Sequence, residues 1–352
     1  MTTRATTCQV TYAGAGSLRV QASAPVPPAV GQVRIDVAYT GICGTDLHIF
    51  HGAMDGRVNP PGVIGHEMSG RIAEIAPGVE GWETGEPVTV MPLARCGDCP
   101  ACRAGHLHIC HRLDFIGIDS TGSMQSSWTV PADTLVRLPR HVPLDHAALV
   151  EPTAVAVHDV RRGAVQPGEK VVVVGGGPVG VLIALVARHA GAEVRLVELD
   201  PFRRQVAEKL GLATLDPRGQ DVTAEVEAWT GGAGASVAFE VSGAAAGVAT
   251  AVDALAVRGR LVLVAIHPAP REINLHRFFW RELTLIGARL YDHDDFETAV
   301  RLIADGDIPA GALISRISPL ERAAEAFAAL ESGGGVMKVL IDCRSAEEAS
   351  TR

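Results

Sequence analysis

Aromatic side chains are scarce: Phe, Trp and Tyr make up 4% of the 352 residues, against 47% apolar residues in all. A large core is available, but it must be aliphatic, built from Val, Ala and Leu. Long hydrophobic runs are also missing. No apolar stretch reaches the ~18 residues that a membrane-spanning helix needs, so no membrane partner is expected. The stretch Met1 to Thr7 lacks the apolar centre of a secretory signal. A basic surplus is absent too: 31 Lys plus Arg against 40 Asp plus Glu give a formal charge of −9. Nucleic-acid surfaces need clustered cations to replace counterions, so nucleic acid is not an expected partner. The length suits about two domains of ~150 residues each.

Seven cysteines are present. Without a secretory signal they read as reduced thiols of a cytoplasmic protein rather than as a disulfide framework. Cys96, Cys99, Cys102 and Cys110 form a Cys-x2-Cys-x2-Cys-x7-Cys lobe over about residues 92–112. Four thiolates fit a closed, structural zinc site, which would fasten a loop too poor in apolar residues to fold by packing alone. An iron–sulfur cluster is the alternative use of four thiolates.

Residues 1 to 150 read as β-rich and glycine-punctuated. Gln32 to Ala38 alternates Val33, Ile35 and Val37 with polar residues, the period of a half-buried strand. Gly41 to Pro61, rich in Gly, Pro and His, predicts a functional loop. Gly65-His66-Glu67 turns into a strand running to Ile75, and Val88 to Met91 forms another.

From Gly168 the pattern changes. Val171 to Val174 is a continuous β-branched run, as expected of a strand buried on both faces of a parallel sheet. A helix to about His189, a strand Val194 to Val197 and a helix through Leu210 follow. Later strands are expected at Val237 to Val241, Arg260 to Ile266 and Leu283 to Gly287, with an Ala-rich helix over 244–257. This alternation predicts an α/β fold with a doubly wound parallel sheet of the Rossmann type. Helices near 294–305 and 320–331 and a strand from Val336 to Ile341 complete the chain.

Gly175-x-Gly177-x-x-Gly180 follows the buried strand and opens a helix, the setting in which this motif binds a dinucleotide. Gly175 permits the tight turn, Gly177 lets the backbone approach a pyrophosphate, and Gly180 allows close helix–strand packing. The helix N-terminus then offers unpaired N–H groups to the phosphates. Glu198 ends the next strand, where a carboxylate accepts the ribose hydroxyls and disfavours a 2′-phosphate, so NAD is expected over NADP. Arg203 and Arg204 pull the other way, since arginine can host that phosphate. Pro178, Val179, Ser242 and Ile266 complete the candidate cofactor-binding set.

Cys43, His66 and either Glu67 or Glu151 offer one thiolate, one imidazole and one carboxylate. Three protein ligands leave a fourth position open, as a catalytic zinc requires. Glu151 lies in Leu149-Val150-Glu151-Pro152, an apolar setting in which a carboxylate is costly unless paired or bound to metal.

Taken together, these residues resemble the zinc-dependent medium-chain alcohol dehydrogenases, and within them the sorbitol, butanediol and threonine dehydrogenase branch. The likeness covers nearly the whole chain. It rests on Cys43-Gly44-Thr45-Asp46-Leu47-His48, on Gly65-His66-Glu67-x-x-Gly70, on the four-cysteine lobe, on Gly175 to Gly180 and on Leu149 to Pro152. It implies a GroES-like catalytic domain from residues 1–155 and 290–352, with a Rossmann domain, 156–289, inserted between. It also implies two zinc ions per chain and NAD as cofactor. Cys43, His66 and a glutamate would hold the catalytic zinc, with Glu67 and Glu151 both near it. Thr45 would take the proton of the substrate hydroxyl and pass it, through the ribose, to His48 at the surface. Asp46 would orient His66 through a ring N–H. The expected substrate is a secondary alcohol of a polyol, diol, cyclitol or amino alcohol, converted to the ketone. The expected assembly is a homodimer or homotetramer. Where sorbitol dehydrogenases carry an Arg-Tyr pair this chain has Leu290-Tyr291, which counts against sorbitol itself. Two other readings compete: a zinc-independent quinone or enone reductase of the same fold, and a non-catalytic nucleotide-binding protein whose metals only hold the fold.

Overall fold

The computed structural model describes residues 7–344, apart from 268 and 334. The chain forms two compact units, Met1–Glu151 with Ala299–Arg352, and Pro152–Thr298. The first unit opens with β1 (Thr7–Tyr12) and β2 (Leu18–Ser23), an antiparallel pair. In β3 (Gln32–Gly41) Val33, Ile35 and Val37 are buried, as the two-residue period requires.

The stretch expected to be a loop instead begins with a helix, α1 (Gly44–Phe50). Its start is locally encoded. Cys43 is the N-cap, and Asp46 in the first turn accepts the Cys43 backbone N–H at 2.8 Å. Ile49 anchors the far end in the core. The glycine and histidine content of the segment masked this short amphipathic turn. β4 (Glu67–Ile75), β5 (Pro87–Val90), β6 (Ser127–Pro131) and β7 (Leu135–Arg137) follow. Helix α2 (Val150–Arg162) carries the chain into the second unit.

That unit alternates regularly: β8 (Lys170–Val174), α3 (Pro178–His189), β9 (Glu193–Val197), α4 (Pro201–Lys209), β10 (Ala213–Leu215), α5 (Val222–Thr230), β11 (Ala235–Glu240), α6 (Ala245–Asp253), β12 (Leu255–Leu263), α7 (Leu275–Arg281) and β13 (Thr284–Gly287). Helix α8 (His293–Ala304) returns to the first unit, which closes with β14 (Ile314–Pro319), α9 (Ala323–Glu331) and β15 (Lys338–Asp342).

In the first unit the larger sheet runs β7-β5-β4-β3-β15-β14, with β6 also paired to β3. The C-terminal strand β15 lies antiparallel to β3, with Leu340 opposite Gly41, so the end of the chain completes the sheet that its beginning started. In the second unit six parallel strands run β10-β9-β8-β11-β12-β13, the doubly wound order expected. Its centre is β8, where Val171 to Val174 are all buried. Each fully buried valine contributes ~1.5–3 kcal/mol through apolar burial. Helix α3 packs on this strand and is buried on all sides from Gly180 to Ala187.

The expected 244–257 helix stops at Asp253, and the next strand starts at Leu255 and ends at Leu263, earlier than the expected Arg260–Ile266. Parallel pairing of Leu255 with Ala235 draws these residues into the sheet, ahead of a register irregularity. Tertiary pairing here overrides the alanine-rich local preference.

Asp159 sits on α2 with 0% exposure, and neither carboxylate oxygen has a hydrogen-bond partner. Burial, and then the nearby Asp295 charge, push its carboxyl well above the usual carboxylate range. An acid raised in the fold contributes stability below its unfolded value, and that contribution is lost as pH rises through the folded value. Replacing Asp159 with Asn is therefore expected to raise the melting temperature at pH 8, by ~2–4 °C per kcal/mol recovered. The gain should shrink toward pH 4. Calorimetry at both pH values checks this, and a gain that does not fall with pH would exclude the carboxylate charge as its origin.

Candidate metal centre and dinucleotide turn

The ends of two neighbouring strands assemble the first cluster. Gly41, the last residue of β3, is the register partner of Glu67, the first of β4. Cys43 lies just beyond one strand end and His66 just before the other. The ligand atoms of Cys43, His66 and Glu67 all lie within 4.8 Å of one another. His66 and Glu67 are buried and Cys43 is half-buried. Two polar atoms here, Asp46 Oδ1 and His66 Nδ1, are buried without a hydrogen-bond partner among the described residues. Orphaned atoms of this kind cost ~1–3 kcal/mol each, a cost that a ligand bound between them and the Cys43 and Glu67 side chains would relieve. A thiolate, an imidazole and a carboxylate are a donor set that zinc accepts.

Electrostatics agree. Burial alone would depress the His66 pKa, but the Asp46 carboxylate and then the Cys43 sulfur outweigh it and hold it up at about 10. Burial raises the Asp46 carboxyl, and the His66 charge only partly offsets this. A metal needs the neutral imidazole, so loading this centre displaces a proton.

Asp46 Oδ1 stands 3.7 Å from His66 Nδ1, beyond hydrogen-bond reach. Its other oxygen caps α1, so the expected orienting hydrogen bond is not formed. Glu151, in the first turn of α2, is buried and does not join the three clustered ligands, although its charge acts on His66. Thr45 and His48 lie three apart on α1 and share one face, Thr45 half-buried and His48 exposed. The charged residues of the loop after α1 are already engaged. Asp55 accepts from Tyr12 Oη at 2.5 Å, Arg57 pairs bidentately with Asp119 at 2.5 and 2.6 Å, and His51 contacts Glu331.

One member of the cluster was invisible to sequence reasoning. Lys338, the first residue of β15, is 2% exposed and pairs with Glu67 Oε2. Burial would lower its pKa, but Glu67 and Cys43 more than compensate and raise it. Lys338 is remote in sequence from every motif, and only the pairing of β15 with β3 brings it in.

The four-cysteine lobe folds as expected of its spacing. Sulfur separations of 3.4 Å (Cys96–Cys110), 3.8 Å (Cys99–Cys110) and 4.0 Å (Cys96–Cys102) bracket the ~3.8 Å edge of a tetrahedron with Zn–S near 2.3 Å. Backbone N–H groups of Cys102 and His111 point at Cys99 Sγ, both at 3.4 Å, and pull that thiol down to about 6. Burial pushes the Cys102 thiol up to about 12, a penalty that a bound cation would remove.

In the second unit the carboxyl ends of the central strands bear the predicted cofactor residues. Gly175 has φ +109°, and a Cβ there would stand 2.8 Å from the Ser242 backbone nitrogen. A Cβ on Gly180 would overlap the Gly175 carbonyl oxygen, so α3 and β8 approach this closely only with glycine. Gly177 caps α3 with no side-chain partner for the helix N–H groups, and Pro178 and Val179 form the first turn. The Glu198 carboxylate spans the turn, accepting Gly176 N–H at 2.6 Å and Asp200 N–H at 2.7 Å. Arg204 is bound to carbonyls and to Asp216. Arg203 lies by Gly177, with its Nε buried and unpaired.

Ser242 Oγ donates to buried Glu240 at 2.5 Å, and His267 Nε2 lies 3.0 Å from the other Glu240 oxygen. Neither Glu240 nor His267 was singled out from sequence, because neither lies in a glycine motif. The end of the long strand β11 was the available signal. Ile266 is 67% exposed beside this network. Tyr291 is fully buried, packed edge-on against Phe296.

A dinucleotide turn in one unit and a candidate metal cluster and cysteine lobe in the other are the parts of a metal-dependent dehydrogenase. The alcohol dehydrogenase GroES-like domain matches residues 29–140, and the zinc-binding dehydrogenase domain matches residues 178–305. A 2-dehydro-3-deoxy-L-galactonate 5-dehydrogenase of Pseudoalteromonas atlantica is 49% identical, over 95% of this chain and 98% of that one. An L-threonine 3-dehydrogenase of Pyrococcus horikoshii is 34% identical, over 92% and 94%. The crystal structure of 2R,3R-butanediol dehydrogenase from Bacillus subtilis superposes with a TM-score of 0.89 at 30% identity, over 96% and 99%. The chain belongs to the zinc-binding medium-chain dehydrogenase/reductase family, with a GroES-like N-terminal domain and a parallel Rossmann sheet.

Metal analysis separates the two clusters. The purified protein is expected to hold two zinc ions per chain. Cys43→Ser should hold one and keep its melting temperature, whereas Cys99→Ser should hold one and lose lobe stability. A single zinc in the wild type would assign all the metal to the lobe.

Proposed function

We propose that this protein catalyses the reversible, NAD-linked oxidation of a secondary alcohol to a ketone, with a sugar acid or other carboxylate-bearing alcohol as its substrate. The observation that carries the reaction is the cluster of Cys43, His66 and Glu67, with the orphaned Asp46 and His66 atoms beside it. Those residues, with Glu151 close by, hold the catalytic zinc, and the four cysteines hold the structural one. When bound, zinc supplies a Lewis acid that acidifies a hydroxyl, and NAD supplies the hydride acceptor.

The chain's residues do the rest. Thr45 accepts the hydroxyl proton, and His48, exposed one helical turn further on, releases it to solvent. The carbon gives up its hydrogen with the electron pair, so one alcohol yields one ketone, one NADH and one proton. The N-terminus of α3 at Gly177, with Arg203, receives the pyrophosphate. Glu198, whose two oxygens each keep a free lone pair, receives the ribose. Ser242, Val179 and Ile266 border the nicotinamide half.

The substrate class rests on the relatives. Galactonate derivatives and threonine are both carboxylates bearing a secondary hydroxyl, and the 49% relative acts on the former. Sorbitol is disfavoured, since Leu290 stands where the resemblance places arginine and Tyr291 is spent in the core.

A homo-oligomer is also part of this reading. Strand β13 is an open sheet edge with Leu285 exposed, and α7 exposes Leu275, Phe279 and Trp280, a surface that a monomer rarely leaves in water. Light scattering should give a dimer or tetramer, and Trp280→Glu should lower the assembly state. A monomeric wild type would reject this part.

A panel read by NADH absorbance tests the activity. Sugar acids with a secondary hydroxyl, and threonine, are expected to turn over with higher kcat/KM than sorbitol or butanediol. Cys43→Ser should abolish turnover while NADH still binds. Equal rates across the panel would remove the carboxylate preference, and an active Cys43→Ser would remove the catalytic metal.

A further inference from the structure

The Glu67 carboxylate belongs both to an ion pair and to the candidate metal site. Its Oε2 contacts Lys338 Nζ, and the same side chain belongs to the Cys43–His66–Glu67 cluster. Both members of the pair are sealed from solvent, with side chains 3% and 1% exposed. The lysine is held in place independently, since Nζ also donates to the Ile42 carbonyl at 3.0 Å.

The sheet is built around this contact. Glu67 lies on β4 and Lys338 on β15, the two strands that flank β3. Gly41 of β3 lies between them, opposite Glu67 in register. A Cβ on Gly41 would overlap Glu67 Oε2 and come within 3.0 Å of Lys338 Cε. The missing side chain opens the gap through which the ammonium and the carboxylate meet across the central strand.

We propose that Lys338 is a positioning residue that competes with the catalytic metal for the Glu67 carboxylate, so that Glu67 is a labile ligand and the metal keeps an exchangeable position for substrate. This rests on the metal-site reading above. In a dry site a carboxylate left without its cation partner takes the next cation available. Without Lys338, that partner is the metal, and Glu67 becomes a permanent ligand.

The test uses the full-length holoenzyme. Zinc dissociation constants are measured by chelator competition, and visible spectra are recorded on the cobalt-substituted protein. Lys338→Met is expected to tighten the catalytic zinc by about tenfold or more, the scale on which outer partners of metal ligands act. It should also abolish the change in the cobalt spectrum that an added alcohol causes in the wild type. Lys338→Arg should restore both wild-type behaviours.

Removing a positive charge would by itself favour a dication, and Glu67→Gln controls for this. Lys338→Met in the Glu67→Gln background should tighten zinc much less than in the wild-type background, because only the bare charge effect, which also reaches Cys43, remains. Lys338→Gln, a neutral side chain that can still hydrogen-bond, takes the place of Lys338→Met in the same comparison if the latter does not fold. A wild type with one zinc overturns the metal-site reading. A wild type with two, together with unchanged affinity in Lys338→Met or an equal gain from Lys338→Met in both backgrounds, overturns the competition.

Discussion

Cys43, Asp46, His66, Glu67 and Lys338 bring five ionisable groups together where β3, β4 and β15 meet, four of them with almost no access to water. Isolated charges there would each cost several kcal/mol in desolvation. Packing cannot relieve that cost; only opposite charge can. Lys338 supplies one positive charge, and a divalent metal would supply two. The arrangement of the sheet follows from this need. β15 returns from the far end of the chain to place a lysine beside β3, and Gly41 leaves room for it to reach the neighbouring strand. With a metal bound, the proposed sharing of Glu67 between two cations would leave the site poised for ligand exchange, which a Lewis acid must undergo to turn substrates over.

The second unit solves a different problem with backbone alone. Its parallel sheet is buried by aliphatic side chains that carry no chemistry, and function is confined to the strand ends. There Gly175 and Gly180 remove side chains at two points where backbone meets backbone. The helix dipole of α3 and the pinned Glu198 carboxylate face the same turn, one favouring phosphate and the other hydroxyl.

The parts legible in the sequence were those encoded by neighbours in the chain. Val171 to Val174, the glycine turn and Glu198 fall within about thirty residues of one another, the span of a single βαβ unit, so the Rossmann sheet could be read directly. The cysteine lobe was legible for the same reason. Cys43 and His66 could be named as candidate ligands because each lies in a short motif, yet nothing local shows that they meet. That follows from the pairing of β3 with β4. Lys338 had no local signal at all, and α1 was masked by residues that usually mark loops. The β12 boundary moved because a partner strand, rather than local preference, decided it. Long-range pairing is what single-sequence reasoning lacks.

The central claim is that Cys43, His66 and Glu67 surround a metal distinct from that of the cysteine lobe. Anomalous diffraction from crystals of the protein, recorded on both sides of the zinc absorption edge, tests it most directly. The account predicts two edge-dependent peaks per chain, one within the four-cysteine lobe and one within bonding distance of Cys43 Sγ and the His66 ring. A map with a peak in the lobe alone, and none at Cys43 and His66 in crystals grown with zinc present, would contradict it.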